Sequence, residues 1–294
     1  MGEVDESRRA RPAEQLRPYV ARYSGYRQYG LAPARHRGLP SPWLTFILTL
    51  DEPLTVAAHP DPRQPGADYD TLLGGLHTTP ALITHQGSQS GIQLALDPLG
   101  ARALLGMPAG ELARLDLSAG EVLGPAAAEL RERVLAAPDW PGRFAVLDTL
   151  LPTLCREVRG PAPEVRRAWR LLTASGGALP VGELAREVGW SRRHLLARFR
   201  QETGLSPKEA ARVIRFDRAR RLLAAAPATA LADLAAATGY FDQAHLAREF
   251  RALAGCPPSV WLAEEAGPAR PADPAPARRS AAARAAFPHA ATAR

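Results

Sequence analysis

Gly182-Glu183-Leu184-Ala185-Arg186-Glu187-Val188-Gly189-Trp190 can be laid over Ala232-Asp233-Leu234-Ala235-Ala236-Ala237-Thr238-Gly239-Tyr240 at an offset of 50 residues, with leucine, alanine, glycine and an aromatic recurring. Past the aromatic the offset becomes 51: His194-Leu195 matches His245-Leu246, Phe199-Arg200 matches Phe250-Arg251, Gly204 matches Gly255 and Pro207 matches Pro258. One residue inserted in the second turn accounts for the change. The chain therefore carries two copies of one supersecondary unit.

Each copy reads as helix, turn, helix. Leu184, Ala185 and Val188 fall on one helical face, and Gly189 supplies the permissive backbone that ends the helix; Leu234, Ala235 and Gly239 do the same in the second copy. Ser191 and Asp242 are the expected N-caps of the second helices, whose inward positions are Leu195 with Phe199 and Leu246 with Phe250 at i, i+4 spacing. Trp190, Tyr240 and Trp261 are expected in the core. His194 and His245 are expected to pack or hydrogen-bond at their turns. Between the copies, Ser206-Pro207-Lys208-Glu209 combines a capping box with proline at the first helical position. The helix it opens can run to Pro227, about 20 residues or about 30 Å. Val213, Phe216, Ala219 and Leu223 stripe that helix, so it should dock on both units and fix their spacing. The units are expected at 181–204 and 231–255, joined by a helix over 207–226.

On these residues the stretch from Glu164 to Glu264 resembles the AraC/XylS family of bacterial regulators. The matching motifs are Leu184-Ala185, Gly189-Trp190-Ser191, His194-Leu195, Phe199-Arg200 and Gly204-Leu205-Ser206-Pro207 in the first copy. In the second they are Gly239-Tyr240, Asp242-Gln243-Ala244-His245-Leu246, Arg248, Phe250-Arg251, Gly255, Pro258 and Trp261. The resemblance implies a cytoplasmic, sequence-specific transcriptional regulator that binds double-stranded DNA in the major groove and has RNA polymerase as a partner.

Recognition helices present their N-terminal ends to base edges. The outward positions there are Arg192, Arg193, Leu196 and Ala197 in the first copy, and Gln243, Ala244, Ala247 and Arg248 in the second. The family carries arginine at the position of Ala197, whereas here arginine follows at Arg198. Gln and Arg can pair bidentately with adenine and guanine, each pair worth about 1–3 kcal/mol of discrimination, while alanine reaches at most a thymine methyl. Arg200, Arg215 and Arg251 complete the expected DNA-binding set. From Arg186 to Arg221 eleven basic residues stand against four acidic ones, a net of +7 that equals the net charge of the whole chain. Such a run alone reads as a solvated face; coincident with the repeat, it points to phosphate contact. The second copy is expected to supply more of the base readout, and the first copy and the connecting helix more of the phosphate grip.

The chain has 294 residues, enough for two domains. Its sequence pI near 10.1 favours a polyanionic partner. Lys208 is the sole lysine, so arginine richness by itself carries little weight. Cys155 and Cys256 are too few and too far apart for a disulfide framework or a Cys-rich zinc site. The N-terminus lacks the apolar core of a signal peptide and no stretch has the roughly 18 apolar residues of a membrane span, so a soluble protein with no membrane partner is expected.

Between Leu16 and Leu96 short apolar runs broken by proline and glycine read as strands, at 43–50, 54–58, 71–76, 81–85 and 91–96. The clearest alternates Leu44, Phe46, Leu48 and Leu50 with Thr45, Ile47 and Thr49. Strands of this spacing suggest a sandwich or small barrel. After Asp97-Pro98 the pattern turns helical, at 101–105, 126–137 and 143–158, and Gly160-Pro161-Ala162-Pro163 marks a boundary. The expected fold class is α+β. A strand-rich domain with a helical hairpin occupies 1–159, an all-α double helix-turn-helix domain 160–266, and a disordered basic tail 267–294. The family resemblance implies that the first domain is a cupin-like barrel, or a related β-rich domain of an uncharacterised regulator type, that senses a small-molecule effector or forms a homodimer. The alternative is a domain that only oligomerises or binds a protein partner. His36, His59, His77 and His85 lack a compact ligand spacing, so no metal is expected. With no nucleophile elbow and no phosphate-binding glycine loop, neither a catalytic residue nor a cofactor is expected.

Overall fold

A computed structural model of the chain describes residues 3–265; the expected tail at 267–294 lies outside the described residues. The strands are β1 (Val4–Ala10), β2 (Val20–Tyr29), β3 (Ala34–Gly38), β4 (Leu44–Thr49), β5 (Leu54–Ala58), β6 (Ala67–Tyr69), β7 (Thr71–Gly74), β8 (Ala81–His85), β9 (Gln89–Leu96) and β10 (Asp116–Ser118). They form a six-stranded sheet in the order β1-β2-β9-β4-β7-β10 and a four-stranded sheet in the order β3-β8-β5-β6. Every strand pairing in the two sheets is antiparallel.

The two sheets share no ladder among the described residues, so the result is an open sandwich and not the closed barrel that the resemblance implied. At one side the ladders end on β6 and β10, three residues each, too short to carry pairing across the gap. The faces follow the alternation of β4. Phe46 and Leu48, with Tyr23, Leu73, Ile92 and Leu94, join the main core. Ile47 and Leu72 point the other way and meet Leu54, Val56, Tyr69, Ala81 and Ile83 in a small core between the sheets.

Helices cover the outer face of the larger sheet. α1 (Ala101–Leu105) is followed by a 3-10 turn at Ala109–Leu112, then α2 (Ala119–Leu123), α3 (Pro125–Ala136) and α4 (Trp140–Leu154). The last helix starts earlier and ends earlier than its periodicity suggests. Asp139 caps it by accepting the Gly142 N–H at 2.8 Å, and Pro141 sits in the first turn, where its missing donor costs nothing. The ring of Trp140 packs against β2 at residue 25 because that residue is glycine: a Cβ there would stand 2.4 Å from the indole. Tyr23 stacks on Phe144 at 5.8 Å and donates its hydroxyl to Asp148 at 3.0 Å, which locks α4 to the sheet.

An irregular stretch, 155–162, leads into seven helices: α5 (Pro163–Ala174), α6 (Val181–Glu187), α7 (Arg192–Thr203), α8 (Pro207–Ala225), α9 (Leu231–Thr238), α10 (Gln243–Ala254) and α11 (Pro258–Glu265). The capping box expected at Ser206 and Glu209 forms in both directions. Val213, Phe216, Ala219 and Leu223 are all buried, so α8 is the beam on which both units are mounted. Phe199 packs on Trp169 of α5 at 5.8 Å, while Phe250 meets Phe216 at 5.0 Å and Trp261 of α11 at 5.6 Å.

The two halves share one continuous apolar core. They also meet in a polar contact: Arg102 of α1 grips the buried Glu202 of α7 bidentately, at 2.8 and 2.9 Å. The 3-10 turn at Ala109–Leu112 lies against the same end of α7. A Cβ on Gly110 would stand 2.2 Å from the Gln201 carbonyl oxygen, so only glycine allows this approach. A second polar bridge joins Arg37 of β3 to Glu264 of α11.

Candidate nucleic-acid interface

Each recognition helix is opened by a side-chain cap. The Ser191 hydroxyl accepts the His194 N–H at 3.2 Å, and the Asp242 carboxylate accepts the His245 N–H at 2.6 Å. The preceding helix α9 stops at Gly239, whose φ of 79° is the left-handed value that ends a helix cleanly. Caps and glycines together set the angle at which α7 and α10 leave their turns.

The histidines serve those turns. His194 sits edge-on to Trp190 at 4.5 Å; His245 sits edge-on to Tyr240 at 5.3 Å and its Nδ1 accepts the Phe241 N–H at 3.3 Å. Tyr240 and Trp261 are buried as expected, whereas Trp190 is only partly so, because His194 covers one side of it.

On α7, Arg192, Arg193, Leu196, Ala197 and Arg200 are exposed, while Arg198 turns aside to donate to the Gln201 side chain at 2.8 Å. On α10, Gln243, Ala244, Arg248 and Arg251 are exposed and Ala247 is partly so. The two faces have different surroundings. Arg193, Leu196, Ala197 and Arg200 line a groove of about 520 Å³ whose other wall is Gly110 and Glu111 of the strand-rich half. The second recognition helix packs against α8, α9 and α11.

The basic run between Arg186 and Arg221 is less free than its net charge suggests. Arg212 pairs with Glu249 of α10 at 2.8 Å, and the buried Asp217 takes both Arg220 at 2.6 Å and Arg221 at 3.0 Å. Arg200 reaches Glu209 at 3.5 Å. Arg215 is bound to the second turn, with its guanidinium 5.2 Å from the Tyr240 ring centre and 3.5 Å from the Gly239 carbonyl. Burial pushes the Tyr240 hydroxyl well above the ordinary tyrosine range, so the ring under that guanidinium stays neutral. The Asp217 pairs are local to α8, whereas Arg212–Glu249 and Arg215–Gly239 join residues 37 and 24 positions apart, and net charge alone reveals neither kind.

The histidines of the strand-rich half are occupied by local partners. His59 Nδ1 lies 2.8 Å from Asp116, and His77 Nδ1 lies 2.5 Å from the Thr79 carbonyl oxygen. Among the described residues no group of three or more His, Cys, Asp or Glu side chains is gathered that could hold a metal ion, and no helix is long and apolar enough to cross a membrane.

Comparison with known proteins divides the chain as the fold does. A family model described as "Helix-turn-helix domain" matches residues 184–264, and one described as "Domain of unknown function (DUF6597)" matches residues 8–118. Among curated proteins none matches. Among solved structures, ToxT from Vibrio cholerae O395 is similar at 11% identity with a TM-score of 0.50, over 83% of this chain and 98% of that one. Wild-type ToxT from Vibrio cholerae strain SCE256, bound to an unsaturated fatty acid, is similar at 9% identity with a TM-score of 0.50, over 92% and 98%. A transcriptional regulator from Chromobacterium violaceum, described by its AraC-type DNA-binding domain, is 27% identical over 36% of this chain and 96% of its own, with a TM-score of 0.33.

Proposed function

We propose that this chain is a transcriptional regulator of the AraC/XylS type and that it binds a specific double-stranded DNA site with α10 as the main base-reading helix. One observation carries this division of labour. The outward positions of both helices reach the surface, but on α7 Arg193, Leu196 and Ala197 share a groove with Gly110 and Glu111 of the strand-rich half, whereas no α10 residue lines that groove. Gln243 and Arg248 supply bidentate chemistry for adenine and guanine, and Ala244 and Ala247 allow close approach to the base edges. Arg192, Arg193 and Arg251 are the phosphate-holding candidates, being exposed on α7 and α10. About 28 Å of α8 separates its ends, by the rise of a helix of that length, close to the about 34 Å repeat of the major groove.

The test is selection of binding sites from random double-stranded DNA with the full chain. Arg248→Ala is expected to select the same site with preference relaxed at one position. Arg251→Ala is expected to keep the sequence preference, bind more weakly at every site and lower the slope of log affinity against log salt by about 1. No enrichment by the unmodified chain contradicts the reading.

The strand-rich half is the proposed sensor of a small molecule. A small cavity of about 100 Å³ lies at one end of the sandwich, with Tyr26, Thr49, Thr55, Thr84, His85 and Gln89 in its wall. Its size and hydrogen-bonding lining suit a polar molecule of a few heavy atoms better than the fatty acid bound by ToxT. A true effector would raise the unfolding temperature with its concentration, by mass action. RNA polymerase and a second copy of the chain are the proposed protein partners.

A further inference from the structure

We propose that Phe241 is a specificity-determining residue that reads the 5-methyl group of a thymine beside the base-reading end of α10; this rests on the DNA-binding reading above. Phe241 is 91% exposed, while the next most exposed large apolar side chains among the described residues, Leu196 and Val260, stand at 44%. It is also the residue by which the two turns differ in length. The first turn runs Gly189-Trp190-Ser191 into its cap; the second runs Gly239-Tyr240-Phe241-Asp242. Tyr240 already supplies the buried aromatic of that turn. The inserted phenylalanine is therefore surplus to the core.

Local structure holds the ring outside. A residue before the N-cap commonly folds back onto the fourth helical position as a hydrophobic staple. Leu246 holds that position here and is fully buried by other neighbours, and the exposure of Phe241 shows that no staple forms. Its backbone is fixed on both sides: the Phe241 N–H donates to His245 Nδ1 at 3.3 Å, and Asp242 caps the helix. Phe241 thus directly precedes the N-cap of α10, two and three residues before Gln243 and Ala244. A phenyl ring has neither donor nor acceptor. Of the features that the major groove presents on base edges, the thymine methyl is the apolar one.

The experiment uses the full chain and its selected site, with each thymine under the second unit replaced in turn by deoxyuridine, which removes only the methyl group. One such replacement is expected to weaken binding about fourfold, the worth of burying one methyl. Phe241→Ala is expected to lose affinity on the thymine site and to be insensitive to that replacement, with an unchanged unfolding temperature because the ring touches no core. Phe241→Leu, which keeps an apolar side chain, is expected to retain part of the methyl dependence. A selected site without thymine there, or equal losses of Phe241→Ala on thymine and deoxyuridine sites, overturns the inference. So does unchanged binding by Phe241→Ala, the result expected if the ring serves a protein partner. Absence of any selected site removes the DNA-binding reading itself, a distinguishable failure.

Discussion

Arg215 and Asp97 show how much a residue's role depends on what is packed around it. By position, Arg215 belongs to the basic run of α8 and to a phosphate-holding set. Its guanidinium instead spans from α8 to the Gly239 carbonyl and the Tyr240 ring, where it braces the turn that aims α10. Any phosphate it reached would be held at the expense of that packing. Asp97 closes β9 and accepts the Leu99 N–H at 2.8 Å, and desolvation lifts its carboxyl to about 6. The unfolded carboxyl titrates near about 4. The folded chain therefore binds the proton more tightly, and the contribution of Asp97 to stability falls as pH rises from about 4 to about 6. Asp97→Asn keeps an acceptor for Leu99 and has no charge to desolvate. Its stability relative to the unmodified chain, measured by urea unfolding, is expected to improve between pH 4 and pH 7; a constant difference across that range contradicts the assignment.

At the scale of elements, strands with one apolar face were legible and strands with two polar-looking faces were not. The runs read at 54–58 and 81–85 coincide with β5 and β8. β1, with the sequence VDESRRA, is an edge strand whose polarity suits an open ladder, but polarity of that kind does not announce a strand. β2 is ten residues long and carries Arg22, Ser24, Tyr26 and Gln28 on one face, with Gly25 interrupting the other. That glycine reads as a breaker, yet it is the seat of the Trp140 ring, a long-range contact that no local pattern contains. Likewise Pro163 reads as the end of one segment and serves as the first residue of α5. In the helical half, capping chemistry and glycines are local, so the helices, turns and caps of both units could be read directly. What could not be read was which arginines have internal acidic partners, because Arg212–Glu249 and Arg102–Glu202 join residues 37 and 100 positions apart. Phe241 was visible only as an insertion, and exposure gave it meaning.

The whole molecule couples the two halves through α7. Its C-terminal end is held by Arg102, and its outward face shares a groove with the turn at Ala109–Leu112. The major groove is about 12 Å wide and admits little beyond one helix, so DNA docked on α7 would compete for space with Gly110 and Glu111 of the strand-rich half, whereas no α10 residue lines that protein groove. Arg102→Met removes one partner of a buried ion pair, a change that typically costs about 3–5 kcal/mol by leaving the other charge uncompensated. The variant is expected to lose hydrogen-exchange protection at residues 109–112 and 200–204 and to bind the selected site more tightly. Weaker binding with protection retained contradicts a competitive contact.

The proposed inequality of the two recognition helices is tested most directly by a base-by-base substitution scan of the selected site, read as the change in affinity of the full chain at fixed salt. Substitutions under α10 are expected to cost about 1–3 kcal/mol at the positions read by Gln243 and Arg248, and those under α7 clearly less. Equal penalties under both helices, or larger ones under α7, would contradict the account.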